Sequence, residues 1–259
     1  MGKLSDKKGY ICDMDGVIYH GDRLVEGAKD FVDWLKKESK RFLFLTNSSA
    51  KAPKELEQKL FRMGIDVDAQ DFITSGQATA SFLASQNPNT GVYAIGESGL
   101  TNALYEAGFY MDQVNPMYVV VGESRSYNFE QIELAVHLVL NGAKLIGTNS
   151  DLTGPSDKGI VPACRALISP IEMATNRKAY FIGKPNPLMM RHAIKRIDCR
   201  REDTLIVGDR MDTDIIAGIE SEIETALVLS GITKREDLVT FPYQPDHIFN
   251  CAADIIHAE

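Results

Sequence analysis

Nowhere does this 259-residue chain hold the roughly 20 consecutive apolar residues that a bilayer-crossing helix needs. It also lacks any run of lysine and arginine. Acids outnumber bases 36 to 28, and the net charge of −8 argues against a nucleic-acid polymer or an anionic membrane as partner. Any phosphate the chain binds must therefore be met by local groups. Cysteine is sparse: Cys12, Cys164, Cys199 and Cys251 lie far apart with no C-x-x-C pair, and they read as buried thiols of a reducing compartment. Histidine is equally thin, and His20, His137, His192, His247 and His257 show no metal-ligand spacing. The charged start, Met1 to Lys8, leads into an apolar run cut short by Asp13, so no secretory signal is expected. Gly2 lacks the Ser or Thr four residues on that myristoylation requires. A cytoplasmic protein is the expectation. Low-complexity segments and fixed-period repeats are absent too.

What the chain does have is a 44% hydrophobic composition, enough for a sizeable core or two smaller ones. Strand-like and helix-like segments alternate along it. After an apolar run at 10–12, residues 27–40 carry Ala28, Phe31, Val32, Trp34 and Leu35 at helical spacing, and Phe42 to Leu45 is strand-like again. Pro53 suits the first turn of the next helix, which Gly64 closes, and a short strand at 72–74 and a helix from about 77 to 85 follow. At Gln86 to Gly91 the composition turns loop-like and a second series begins. Its strands are expected at 92–95, 117–121 and 144–146, its helices at 98–107, 128–141 and 162–175. Ala179 to Ile182 is expected to return to the first sheet, followed by a helix at 187–197, a strand at 204–207, a helix at 212–219 and a strand at 225–229. The pattern predicts an α/β protein: a Rossmann-like parallel sheet core from residues 1–84 and 179–259, interrupted by an inserted α/β domain at 85–178.

The first strand ends in Asp13-Met14-Asp15-Gly16. Ligands of parallel α/β sheets sit beyond the carboxyl ends of the strands, so this pair of acids points to where such folds do chemistry. Neighbouring carboxylates repel unless a proton or cation intervenes, and a hard ion such as Mg²⁺ suits all-oxygen ligands. Other strand ends carry charge or hydroxyls as well. The second ends in Thr46-Asn47-Ser48-Ser49, Gly183-Lys184-Pro185 follows a third, and Gly208-Asp209 with Asp214 follows a fourth. Alone, Lys184 reads as a surface lysine and Asp214 as a first-turn helix acid. Together, as expected strand ends of one sheet, they describe a phosphoryl-transfer site.

The residue types suit that chemistry. A carboxylate can attack phosphorus to give an acyl phosphate, provided the anion-on-anion approach is neutralised by Mg²⁺ and a fixed lysine. Asp13, the backbone carbonyl of Asp15 and Asp209 would hold the metal, and Asp15 is placed to act as general acid and base. The Thr46 hydroxyl and the Asn47 backbone N–H would hold phosphoryl oxygens.

These segments, in this order, resemble the four motifs of the haloacid dehalogenase (HAD) superfamily over nearly the whole chain. The long insert is similar to the large α/β cap of the NagD-like, or p-nitrophenylphosphatase-like, phosphatases, notably at Val121 to Asn128 and Gly147 to Asp151. The resemblance implies the HAD fold and a Mg²⁺-dependent phosphatase of small phosphorylated metabolites, nucleoside monophosphates ahead of sugar phosphates. It implies Asp13 as nucleophile, Asp15 as acid/base, and Asp13, Asp15 and Asp209 as Mg²⁺ ligands, with Asp214 supporting the metal shell or orienting Lys184. Thr46, Asn47 and Lys184 are the implied phosphate binders. A homo-oligomer built through the cap is compatible with it. The interval from Asp13 to Thr46 holds one helix and a flap but no cap domain, which disfavours β-phosphoglucomutase-like members.

Candidate specificity determinants are the loop 151–159, then Arg125 and Tyr127; His20 could face the site from the flap. Two other readings compete. A phosphoacceptor switch like a response-regulator receiver also groups acids, a Thr and a Lys around an aspartate, but Asp-x-Asp on the first strand and the large insert do not suit it. A non-catalytic phosphometabolite-binding protein would not need Asp15.

Overall fold

The computed structural model describes residues 4–156 and 159–258; Asp157 and Lys158 of the expected specificity loop lie outside the described residues. Chain contacts define two units. One comprises the chain up to Thr46 with Leu56–Ile73 and Lys184 onward, the other Asn47–Glu55 with Thr74–Gly183. The expected boundaries differ from these at residues 47–55, 74–84 and 179–183. The helix Ser75–Gln86, expected in the core, packs on the helix Ser98–Glu106 of the second unit.

In the first unit the sheet order is His247–Phe249, Glu224–Val228, Thr204–Gly208, Gly9–Cys12, Arg41–Thr46 and Phe72–Thr74. The central strand pairs in parallel with both neighbours, Cys12 lying beside Val207 on one side and Phe44 on the other. Asp13 continues the ladder by donating its N–H to the Val207 carbonyl at 2.8 Å. This register brings Asp13, Thr46 and Asp209 out at the same edge. Gly9–Cys12 and Thr204–Gly208 are buried throughout, as a strand sandwiched in a parallel sheet must be. The strand His247–Phe249 has no counterpart in the expected pattern, because three half-buried residues leave no periodic signal.

The helix Ala28–Lys37 explains how this sheet is held. Ala28, Phe31, Val32 and Leu35 fall on one face and are buried, while Lys29, Asp33 and Lys36 face water. Phe31 and Trp34 meet the Tyr10 ring edge-on at 6.1 and 5.6 Å, and the Tyr10 hydroxyl donates to the Leu4 carbonyl at 2.8 Å. The aromatic cluster thus buries its polar tip without leaving it unpaired.

The second unit carries its own parallel sheet, ordered Tyr180–Phe181, Lys144–Gly147, Tyr118–Val121, Gly91–Ile95 and Tyr110–Met111. One face packs Ile95, Val119, Val121 and Leu145 against Ile168 and Ile171 of the helix Cys164–Thr175. The strand expected to return to the first sheet belongs here instead: Tyr180 lies beside Ile146 and Phe181 beside Gly147. Gly147 permits this pairing, since a Cβ there would run into the Phe181 ring. Lys184 therefore follows a strand of the second sheet. The expected loop at 151–159 is part of an antiparallel hairpin, Thr153–Ser156 with Gly159–Pro162. Among the described residues no helix is long and apolar enough to cross a membrane.

Replacing Phe31 by Ala should cost about 3–5 kcal/mol, the range for emptying a buried aromatic site. Urea unfolding of the first unit measures it, and a loss below about 1 kcal/mol would mean that this aromatic cluster does not hold the helix to the sheet.

Candidate active site

Among the described residues of the first unit Lys184 is the most deeply buried cation, only 2% exposed. Its ammonium donates to Asp13 Oδ1 at 2.5 Å, to Asp214 Oδ1 at 2.6 Å and to the Leu45 carbonyl at 3.1 Å. Burial alone would pull this ammonium down, but the Asp13 and Asp214 carboxylates outweigh it and hold the group above its ordinary value. A cation removed from water persists only with such partners. Lys184 is placed by the turn into the helix Pro187–Ile197, which opens as the sequence predicts: Asn186 accepts the Leu188 N–H at 2.9 Å and Pro187 takes the first position.

Asp13, Asp209 and Asp214 each offer a carboxylate oxygen within 4.8 Å of the others. Burial raises the Asp13 carboxyl well above the usual range; Lys184 opposes this, and the charges of Asp214 and Asp209 add to it. Burial, followed by the Asp214 charge, pushes Asp209 up to about 7. Three acids and one ammonium leave two negative charges uncompensated when all are ionised, the charge of one divalent cation.

The fit to a cation can be tested on Asp209 itself. Its Oδ2 accepts the Ile232 N–H at 2.7 Å, whereas Oδ1 is buried with no hydrogen-bond partner among the described residues. Buried carboxylate oxygens are rarely left so, and coordination by a hard ion would satisfy this one. The walls around it are bare backbone. Gly16, at φ +84°, and Gly231 both approach so closely that a Cβ on either would collide with the Asp209 carboxylate. The donor set and its surroundings therefore fit a Mg²⁺-type ion.

Asp214 sits on a π-helical turn, Met211–Ile215, that precedes the helix Ile216–Glu220 where a single helix was expected. The wider turn lets Asp214 Oδ2 accept the Arg210 N–H at 3.2 Å while Oδ1 faces Lys184. Asp15 lies outside the acid trio, on the turn where Gly16 donates to the Tyr19 carbonyl at 2.8 Å. Thr46 ends its strand with 6% exposure. Cys12, next to Asp13, is a buried thiol whose pKa is pushed up by burial and then by Asp13, so it does not compete as a nucleophile. His20 is exposed, its Nε2 2.8 Å from the Ser230 carbonyl.

Asn47 groups with the second unit, its amide donating to Asp151 at 3.0 Å. The turn that it opens is fixed from there. Asn149 donates to the Asn47 carbonyl at 2.7 Å and to Glu123 at 2.5 Å, and Glu123 accepts the Ser49 N–H at 3.0 Å and its hydroxyl at 2.5 Å. Tyr127 is half-buried against the core of the second unit and its hydroxyl donates to the Leu167 carbonyl, while the Arg125 N–H donates to Glu97 at 2.6 Å.

Sequence reasoning missed two groups. The segment 230–233 follows the strand Glu224–Val228 and holds Asp209 through the Ile232 and Thr233 N–H groups; its signal was a Ser-Gly pair just past a strand end. Glu123 and Asn149 stood within segments already singled out, but nothing in their spacing said that they meet.

With this geometry in hand, the comparisons with known proteins fall into place. The family model described as haloacid dehalogenase-like hydrolase matches residues 10–110, and one described as HAD-hydrolase-like matches residues 181–255. The chain belongs to the haloacid dehalogenase-like hydrolases. It is 43% identical over 246 residues to the dihydroxyacetone phosphatase of Corynebacterium glutamicum (strain R), covering 95% of this chain and 90% of that one. It is 40% identical over 248 residues to the ribonucleotide monophosphatase NagD of Escherichia coli (strain K12), covering 96% and 98%. The crystal structure of 4-nitrophenylphosphatase from Thermotoga maritima superposes with a TM-score of 0.95 at 32% identity, covering 100% of this chain and 99% of that one. Within its family the chain is a NagD-like phosphoric monoester hydrolase.

The raised Asp209 value has a measurable consequence in protein stripped of divalent ions. The folded state holds this proton more tightly than the unfolded chain, so the stability it contributes is complete below a pH of about 4 and declines as pH rises towards about 7. The melting temperature of EDTA-treated protein should therefore fall over that interval. Added Mg²⁺ should raise it at about pH 7.5 and hardly at all near pH 4, where protons compete for the same oxygens. A Mg²⁺ increment that does not vary with pH would contradict the placement of Asp209 at the cation.

Proposed function

We propose that the chain is a Mg²⁺-dependent cytoplasmic phosphatase that hydrolyses small phosphate monoesters through an aspartyl-phosphate on Asp13. The observation that carries this reading is the buried Lys184 ammonium bonded to Asp13 and Asp214, beside the orphaned Asp209 oxygen. Asp13, Asp209 and the Asp15 backbone carbonyl would hold the ion, with Asp214 supporting its shell. The ion would supply charge neutralisation for an anion attacked by an anion.

The chain's own residues do the rest. A carboxylate oxygen of Asp13 bonds to phosphorus as the bond to the ester oxygen breaks, and the Asp15 carboxyl gives that oxygen its proton. Water then attacks phosphorus, Asp15 takes its proton, and inorganic phosphate leaves as the Asp13 carboxylate is restored. Lys184, the Thr46 hydroxyl and the Asn47 N–H would hold the phosphoryl oxygens through both displacements. An acid two residues beyond the nucleophile on the first strand, and the large insert after the second, favour turnover over a long-lived phosphoacceptor switch.

Substrate choice would fall to the second unit acting as a cap domain, with the loop 151–159 the leading element. Nucleoside monophosphates are the first substrate class and sugar phosphates the second. A relative named ribonucleotide monophosphatase stands at 40% identity and one named acid sugar phosphatase at 37%. Self-association through the second unit belongs to the same reading, and sedimentation velocity reads it.

Asp13→Asn should lower Mg²⁺-dependent phosphate release by at least about 10³-fold, as loss of a covalent nucleophile does. The measurement is a phosphate-release screen over nucleoside monophosphates and sugar phosphates with and without Mg²⁺. Retention of activity in the variant would reject the mechanism.

A further inference from the structure

The second unit holds a cleft of about 530 Å³ that none of the proposed chemistry uses. Strand register explains its floor. Tyr118 lies beside Lys144, and Tyr180 beside Ile146. Because Lys144 and Ile146 are two apart on one strand, all four side chains share a face, opposite the one that Val119, Val121 and Leu145 pack against the helix Cys164–Thr175. Phe82, from the helix Ser75–Gln86, forms a wall, its ring centroid 5.8 Å from that of Tyr180. The Tyr118 hydroxyl accepts the Asn87 amide at 2.6 Å, which fixes that ring.

The mouth is cationic. Lys144, Arg177 and Lys178 line it, and no acid does, in a chain whose net charge is −8. None of these three forms an ion pair with a carboxylate among the described residues. Lys144 lies 5.8 Å from the centre of the Tyr118 ring. The volume falls inside the range of small-molecule sites, roughly 300–1,000 Å³.

We propose that this cleft is a second, non-catalytic site for a nucleoside polyphosphate. Its planar base lies against the Phe82 and Tyr180 rings, and its phosphates are held by Lys144, Arg177 and Lys178. Aromatic walls suit a π-faced ring, and a cluster of cations that forms no ion pair with an acid suits a polyanion.

The test is isothermal titration of the full chain with an imido-bridged, non-hydrolysable nucleoside triphosphate, run with saturating inorganic phosphate so that the catalytic centre does not compete. Binding is expected in the unaltered protein and in Asp13→Asn alike. It should weaken about tenfold or more in Arg177→Ala/Lys178→Ala, the loss expected for a charge-assisted contact. Both altered residues are exposed, so the variant should keep its fold, and an unchanged melting temperature checks this. Tyr180→Ala should weaken the nucleotide and leave inorganic tripolyphosphate unaffected. The proposal is overturned by no binding up to about 1 mM, by binding that persists in the double variant, or by binding abolished by inorganic phosphate. It is equally overturned if tripolyphosphate binds as tightly as the nucleotide.

Discussion

An ammonium group sealed from water between two carboxylates is the constraint on which the first unit turns. Lys184 is tolerable at 2% exposure because Asp13 and Asp214 meet it directly. Removing either partner would leave charge buried without compensation, far costlier than never having placed it there. The pair therefore ties together the end of the central strand, the start of the helix Pro187–Ile197 and the π-helical turn at Met211–Ile215. The same contacts fix the proposed nucleophile in one orientation before any substrate arrives, which is what preorganisation requires.

The rest of the first unit supports that arrangement. Parallel register delivers Asp13, Thr46 and Asp209 to one edge, and the buried strands behind them leave no slack for that edge to drift. Excess negative charge at the edge is the counterpart of this rigidity: carboxylates that cannot move apart must share protons or a cation. In the second unit Glu123 and Asn149 fix the turn that begins at Asn47, so that segment too is held by charge-assisted hydrogen bonds.

Much of this was legible in the sequence, for identifiable reasons. Asp13-x-Asp15-Gly16, Thr46, Lys184 and Asp209 with Asp214 announced themselves because each follows a short apolar run, a pattern that depends on local chain geometry alone. The helix at 187–197 and its cap were equally local. What failed was long-range. The run 179–182 looks like any strand, and only pairing with Ile146 and Gly147 decides which sheet it joins. Likewise, helix 75–86 shows no strong sidedness in its sequence, Ala78, Ala80 and Leu83 being buried among small and polar neighbours, so its partner could not be read. The Ile232 and Thr233 N–H groups act through backbone, which no side-chain motif records.

Gly16 and Gly231 press on the Asp209 carboxylate from neighbouring loops, and neither leaves room for so much as a methyl group. For anyone redesigning this catalyst, those two positions are closed: a mutational library spent there explores only broken enzymes. New substrate preferences must be sought in side chains farther from the acids, while the immediate walls of the Asp209 carboxylate stay written in glycine.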